Sequence, residues 1–232
     1  MPSALVIGAR HLGFSVIERL LADGWEVSGG AVSSETLERV GAAGAHPLKV
    51  DVTDQASVLA ALTEAGGRSG RLDLVVNAAS PYAGPFQGPF GGGPLAESDP
   101  DAFERWASLP ARGAYAFLSA SARYLKAQGG PATAVQITGG SSKRAMPGRG
   151  LWAAGAFAVR ALTQAAALEL RAEEIQVALL VIDAGIDRTG EQDAHSADQP
   201  SLADAVAYLA GQSPRAMTHE LQVTPALDNW TP

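Results

Sequence analysis

The sequence predicts an α/β protein of one domain, built on a doubly wound parallel sheet with helices on both faces. Three observations predict it. Short apolar runs alternate with longer segments of helical periodicity along the whole chain, the pattern of strands joined by right-handed crossovers. The run Ile175 to Ile182 is apolar almost throughout, as in strands covered on both faces. And 232 residues, 47% of them hydrophobic and 18% charged, match one domain, since domains run to about 100–200 residues and some α/β folds to about 250. No repeat or linker divides residues 1–232, so they are expected to form one unit.

Ala4-Leu5-Val6-Ile7 reads as the first buried strand, closed by Gly8. Leu12 to Leu21 follows with apolar residues at 12, 16, 17, 20 and 21, a helical stripe. Ala22-Asp23-Gly24 stops it, because glycine supplies a left-handed turn. Trp25 to Gly29 is a weaker strand, and Ser34 to Ala43 a helix capped by Ser33 or Ser34. His46 to Val50 gives a third strand, and Thr53 or Asp54 caps a helix through Leu62. Leu72 to Asn77 and Ala134 to Thr138 are the next strands. Between them Asp101 to Ala107 and Ala111 to Gln128 are helical in pattern, with an expected break at Pro110. A long Ala-rich helix spans Gly150 to Arg171, and after the strand ending at Ile182 come a helix, Leu202 to Leu209, and a strand, Leu221 to Val223.

Seventeen Lys and Arg against 24 Asp and Glu leave a formal charge of −7. No basic cluster stands out, which argues against nucleic acid or an anionic membrane as partner. The chain has no cysteine, which excludes disulfides, thiolate nucleophiles and thiolate metal sites and fits a reducing compartment. His11, His46, His195 and His219 are scattered, so no metal centre is expected. Met1 to Arg10 lacks the pattern of a signal peptide. The longest apolar tract, Leu151 to Leu170, is interrupted by Arg160, Gln164 and Glu169, short of the about 18 uncharged apolar residues of a membrane span. A cytoplasmic location is expected.

The segment Gly8-Ala9-Arg10-His11-Leu12-Gly13-Phe14 lies between the first strand and its helix. There glycine lets a backbone approach a pyrophosphate, and free amides at the helix start stabilise its charge. Asp51-Val52-Thr53-Asp54 follows strand three, Val76-Asn77-Ala78-Ala79 strand four, and Ile137-Thr138-Gly139-Gly140 strand five, while Trp152 to Ala156 opens the long helix. In this order and spacing they resemble the short-chain dehydrogenase/reductase family, with its Rossmann-like sheet, over nearly the whole chain. Val181 to Asp187 and Pro214 to Leu221 extend the resemblance into the C-terminal half.

The resemblance implies hydride transfer between NAD(P) and a carbonyl or alcohol, by a tetrad of Asn, Ser, Tyr and Lys. Lysine lowers the tyrosine pKa and holds the ribose, tyrosine passes the proton, serine polarises the substrate oxygen, and asparagine orders a relay water. At the Tyr-x-x-x-Lys positions this chain has Trp152 and Ala156, at the serine position Gly139, and at the asparagine position Pro110. Its three lysines, Lys49, Lys126 and Lys143, all lie off that helix. No catalytic residue is therefore assigned.

For a cofactor, the resemblance implies Gly8, Arg10, His11, Leu12 and Gly13 at the pyrophosphate turn, Asp51 and Val52 beside adenine, and Asn77 and Ala78 beside the ribose. The turn is one residue shorter than the family's Gly-x-x-x-Gly-x-Gly, with His11 or Leu12 in the place of the middle glycine. Arg10 matches the position that meets a ribose 2′-phosphate, and Gly30-Ala31-Val32-Ser33 offers neither an NAD-selecting acid nor a second base. NADP(H) is thus favoured over NAD(H). A tight turn that holds no nucleotide stays open.

Other residues carry weaker expectations. Ser141, Ser142, Lys143 and Arg144 are candidates to hold an oxyanion but read as a solvated loop, as do the charges between Ile186 and Pro200. Tyr82 lies in a glycine-rich loop, Pro81 to Pro94, that reads as a floppy insertion or a lid. Asp183 reads as a hydrogen-bonded buried carboxylate, and Trp152 as bulk filling a vacated pocket. The expected activity is a non-catalytic binding or sensor function, with an NADP-dependent oxidoreductase using substitute donors as the alternative. Small residues along Ala111 to Gln128 and Gly150 to Arg171, together with the resemblance, imply a homodimer or homotetramer through these helices.

Overall fold

The computed structural model describes residues 1–81, 88–188, 190 and 193–230. Among them the strands are β1 (Ser3–Ile7), β2 (Glu26–Ala31), β3 (His46–Lys49), β4 (Leu74–Asn77), β5 (Ala132–Gly139), β6 (Ile175–Ile182), β7 (Gly185–Ile186), β8 (Ser196–Ala197) and β9 (Glu220–Val223). Seven form one sheet in the order β3-β2-β1-β4-β5-β6-β9, parallel throughout, and β7 pairs with β8 alone. The helices are α1 (Leu12–Ala22), α2 (Ser34–Ala42), α3 (Gln55–Ser69), α4 (Pro100–Phe103), α5 (Leu109–Gln128), α6 (Gly150–Leu170) and α7 (Gln199–Ala210).

Strand periodicity divides the core into two layers. Leu5 and Ile7 pack with α3, α5 and α6 through residues such as Leu62, Phe117 and Leu170. Ala4 and Val6 face the other side, where Val16 of α1, Val40 of α2 and Val206 of α7 cover the sheet. The strand order reverses between β1 and β4, which opens a crevice beyond their carboxyl ends.

Local chemistry sets the helix ends. Ser33 caps α2 by accepting from the Thr36 amide, and Asp54 caps α3 by accepting from the Ala56 amide at 2.9 Å. Helix α3 runs past the expected end at Leu62 to Ser69, stopped by Gly70 in the left-handed conformation. Its interior Gly66 gives the room that the Tyr124 ring occupies, where a Cβ would overlap the phenol.

The break expected at Pro110 is absent. Residues 100–128 form one continuous helical run, because a π-helical turn, Glu104–Ser108, widens the backbone before the proline. Pro110 directly follows the π-helical turn, inside the run, so its missing amide leaves one carbonyl of that turn without its usual helical donor. The Trp106 carbonyl, the acceptor an amide at 110 would use in an α-helix, instead faces Gly155 of α6, where a Cβ would stand 2.5 Å from it.

Helix α6 and its short extension, Gly150–Glu173, are long and apolar enough by length and composition to cross a membrane, although Arg160 and Glu169 interrupt them as the sequence reading noted. The helix packs instead on α5 and β6, burying Ala153, Ala156, Val159 and Leu170, as a core helix does.

Candidate functional site

The turn after β1 is built by steric exclusion. Gly8 has φ +91°, and a Cβ there would overlap the backbone of Ala78 and Ala79. A Cβ on Gly13 would overlap the Gly8 carbonyl. The amides of Gly8 and Ala9 donate to the Gly30 carbonyl at 2.9 and 3.1 Å, which fixes the turn to the end of β2. Residue His11 caps α1 without a side-chain bond, so the first turn of the helix has amides to offer an anion. Leu12 is buried, so its side chain belongs to the core. Arg10 is exposed.

Arg39 of α2 reaches this turn, donating to the Ala9 carbonyl at 3.3 Å and to the Arg10 carbonyl, with its guanidinium 3.9 Å from the Phe14 ring centroid. Desolvation, and then the positive charges of Arg188, Arg10 and Arg39, hold the His11 imidazole below its ordinary pKa. The sequence offered no second base after β2; the fold supplies one from the far end of the next helix. No motif marks Arg39, because its partners are backbone atoms 30 residues away. Ser33, the other candidate there, already serves its helix cap.

Around the crevice, the remaining cofactor candidates divide into scaffold and surface. Asn77 is buried, donating to Gln136 Oε1 at 2.9 Å and accepting from the Ala79 amide at 3.1 Å, so it ties β4 to β5. The Ala78 amide donates to the Ile7 carbonyl at 2.8 Å and joins β1 to the same edge. Val52 is buried in the core. Asp51 is exposed, its carboxylate accepting from the Thr53 amide and hydroxyl at 2.9 and 2.7 Å.

At the start of α6, Trp152 packs between two aromatic partners. Its ring centroid lies 4.5 Å from that of Phe90 and 5.4 Å from that of Trp106, and Phe90 and Trp106 meet edge to face at 4.9 Å. Ala156 is buried one turn further on. Phe90 stands on a 3-10 turn, Phe90–Gly92, strapped to α6 by three left-handed glycines. Side chains on Gly91 and Gly92 would crowd Arg149 and Leu151, and Gly93 bridges to Arg149. This described end of the glycine-rich loop is therefore packed rather than floppy. Tyr82, in the other part of that loop, lies outside the described residues.

The segment after β5 is not the solvated loop expected. Ser142 is fully buried, and Lys143 donates to Gln222 Oε1 at 2.5 Å with Glu220 at 3.8 Å. Gln222 in turn donates to Asp183 at 3.1 Å, and Glu220 takes both ends of the Arg160 guanidinium at 3.1 Å. Ser141 is half-buried and Arg144 exposed. Pairing between β6 and β9 sets these groups side by side, which no local pattern encodes. In the loop from Ile186 to Pro200, Asp193 and Asp198 likewise accept from backbone amides instead of standing free in water.

A model of the short chain dehydrogenases matches residues 2–199. The chain belongs to the short-chain dehydrogenase family. A sorbitol dehydrogenase from Cereibacter sphaeroides is 28% identical over 180 residues, 75% of this chain and 67% of that protein. The fold is similar to that of an alcohol dehydrogenase from the archaeon Thermococcus sibiricus complexed with 5-hydroxy-NADP, at TM-score 0.81 and 23% identity over 100% of this chain and 99% of that one. It is also similar to a metagenomic short-chain oxidoreductase in complex with NADP, at TM-score 0.76 and 24% identity over 97% of each chain. Within this short-chain dehydrogenase fold, Arg39, Phe90 and Trp106 are residues beside the site that sequence reasoning missed.

Proposed function

We propose that this chain is a binding or sensor protein of the short-chain dehydrogenase family that holds NADP(H) without ordinary hydride transfer. The carrying observation is the packing of Trp152 against Phe90 and Trp106 at the place where the family's proton donor stands. An indole N–H donates but does not titrate usefully, and Ala156 and Gly139 bring neither an ammonium nor a hydroxyl. Lys143, the lysine nearest in sequence, is engaged by Gln222 and Glu220.

The turn fits a dinucleotide. Gly8 and Gly13 let it close tightly against the Ala78–Ala79 backbone and the start of α1, α1 starts without a side-chain cap, and among the described residues no carboxylate pairs with Arg10. Gly8, His11, Leu12 and Gly13 would hold the pyrophosphate through the backbone, Arg10 a 2′-phosphate, Asp51 and Val52 the adenine edge, and Asn77 and Ala78 the ribose side. When bound, the nicotinamide supplies a hydride donor or acceptor. The NADP-complexed structural neighbours support the choice of nucleotide.

A second reading, an NADP-dependent oxidoreductase of small carbonyl or alcohol compounds with substitute donors, is favoured by the sorbitol dehydrogenase relative. Titration of NADPH and NADH by fluorescence and calorimetry, followed by a carbonyl and alcohol panel, separates the two. The proposal expects NADPH to bind roughly ten- to hundredfold more tightly than NADH, from one charge-assisted contact worth about 1.5–3 kcal/mol. It expects Arg10→Ala to erase that preference, and it expects no turnover. Turnover at rates typical of the family would establish the second reading instead.

We also propose self-association through α5 and α6. Their outer faces expose Tyr115 (54%) and Phe157 (44%), with Phe103 (56%) of α4 next to them, beside an apolar groove lined by Ala111, Ala154, Ala158 and Leu162. Light scattering should give a dimer or tetramer of the 23.8 kDa chain. A strict monomer at micromolar concentration would remove this part of the proposal.

A further inference from the structure

At the edge of the sheet opposite the crevice, where β5 and β6 begin, lies a small pocket of about 170 Å³. Thr133 of β5 and Gln176 of β6 line it side by side in register. They share the sheet face of Val135 and Ala178, which packs under α7. Ala210 at the end of α7, with Pro214 and Met217 of the segment that follows, supplies apolar walls. Glu174, just before β6, brings an exposed carboxylate.

Two polar groups in this pocket are buried without partners. Thr133 is 5% exposed, and among the described residues nothing bonds to its hydroxyl. Gln176 is 2% exposed. Its amide nitrogen donates to Gln212 Oε1 at 2.8 Å and to the Thr218 carbonyl at 3.3 Å, while its own carbonyl oxygen receives no donor from the chain. Gln212 in turn donates to the Thr218 hydroxyl and accepts from the Thr218 amide, both at 2.8 Å, so this wall is fixed before any ligand arrives. Buried acceptors without donors are uncommon in folded proteins, because each has given up its hydration. A guest that brings N–H groups restores what folding removed.

The acceptor set selects the guest. Thr133 Oγ1, Gln176 Oε1 and the Glu174 carboxylate are three acceptors, one of them charged, and a primary ammonium has three donors. Asp73, the other carboxylate of the pocket, already accepts from the Ser3 amide at 2.9 Å and pairs with Arg71 at 2.7 Å. A hard divalent cation would want about six to eight oxygen ligands, and the described residues hold no group of three His, Cys, Asp or Glu. With a share of about 30 Å³ per water, the space equals roughly five or six waters, the bulk of a short alkylamine.

We propose that this pocket binds a small free alkylamine in its ammonium form, its head on Thr133, Gln176 and Glu174 and its stem against Pro214 and Met217. The site lies at the other end of the strands from the glycine turn and does not depend on the NADP(H) reading.

Methyl NMR with ¹³C-labelled methionine reads the pocket directly. The chain has three methionines, and of these Met217 lines the pocket while Met1 and Met146 do not. Titration with n-butylammonium chloride should move the Met217 methyl signal saturably and leave the other two in place. Butanol, of similar shape without the charge, should bind at least about tenfold more weakly, and potassium chloride should move nothing. Thr133→Val keeps the branched shape and removes the hydroxyl, and it should weaken butylammonium by about tenfold. Glu174→Gln, at an exposed position that leaves the fold alone, should narrow the gap between butylammonium and butanol. A Met217 signal unmoved up to about 0.1 M butylammonium, an equal response to butanol or potassium chloride, or an affinity unchanged in both variants would overturn the proposal, since the acceptors would then serve only water.

Discussion

The two ends of the crevice obey different rules. At the turn after β1, Gly8 and Gly13 are demanded by the fold itself, because a Cβ on either would overlap neighbouring backbone. At the start of α6, nothing in the packing demands a tyrosine or a lysine. Trp152 and Ala156 satisfy the local geometry, and Phe90 and Trp106 close around the indole. The contrast teaches that recognition through backbone amides and glycines is tied to the stability of a sheet edge. Side-chain chemistry on a helix face is not. A glycine turn can therefore be fixed by the fold while the side chains on the opposite wall are free to vary.

The sharpest way to break this comparison is Gly8→Ala. The substitution puts a side chain into a left-handed conformation and against the Ala79 backbone, so unfolding in urea should show a loss of about 3 kcal/mol or more. A loss under about 1 kcal/mol would mean that the turn relaxes freely and that its glycine is not required by the fold.

Trp152→Ala should cost less, about 2 kcal/mol, because the indole is only half-buried although it joins both other rings. Near-ultraviolet circular dichroism should lose the coupled aromatic signal at the same time. Unchanged stability would show that the three rings contact one another without holding the strap to α6.

The smallest effect belongs to Asp198, which caps the helix α7 that packs on α1. Asp198→Ala should cost about 1 kcal/mol. The Ser201 amide, then the Ser201 hydroxyl, holds the Asp198 carboxyl below its ordinary value near 3.8. A depressed pKa contributes stability that is present above that ordinary value and is lost as pH falls through the folded-state value. The difference between wild type and variant should therefore be full at pH 7 and shrink below pH of about 4. A difference constant from pH 7 to pH 2 would assign the cap's effect to packing rather than to charge.

Much of this was legible in order along the chain. The apolar runs placed all seven strands of the main sheet within a few residues, since each strand buried on both faces must be apolar by itself. Asp54 and Gly8 were readable because capping and left-handed turns act over a few residues. Two features were not. The helix continues through Pro110 because a π-helical turn and the bare Cα of Gly155 accommodate the Trp106 carbonyl, and those partners lie on different helices. Lys143 is engaged instead of solvated because β9 returns Glu220 and Gln222 beside it.

What the sequence by itself determined is the class of sheet, the crossover order and the glycine turn. All of these depend on identity and periodicity within short windows. What only the tertiary structure decided is which charges meet and which pockets close. Arg39 meets the carbonyls of the glycine turn and the Phe14 ring, and Phe90 and Trp106 converge on Trp152, from segments far apart in the chain. Such meetings are fixed by how helices pack across the sheet, a global minimum of buried area and satisfied backbone that no local stretch of sequence encodes.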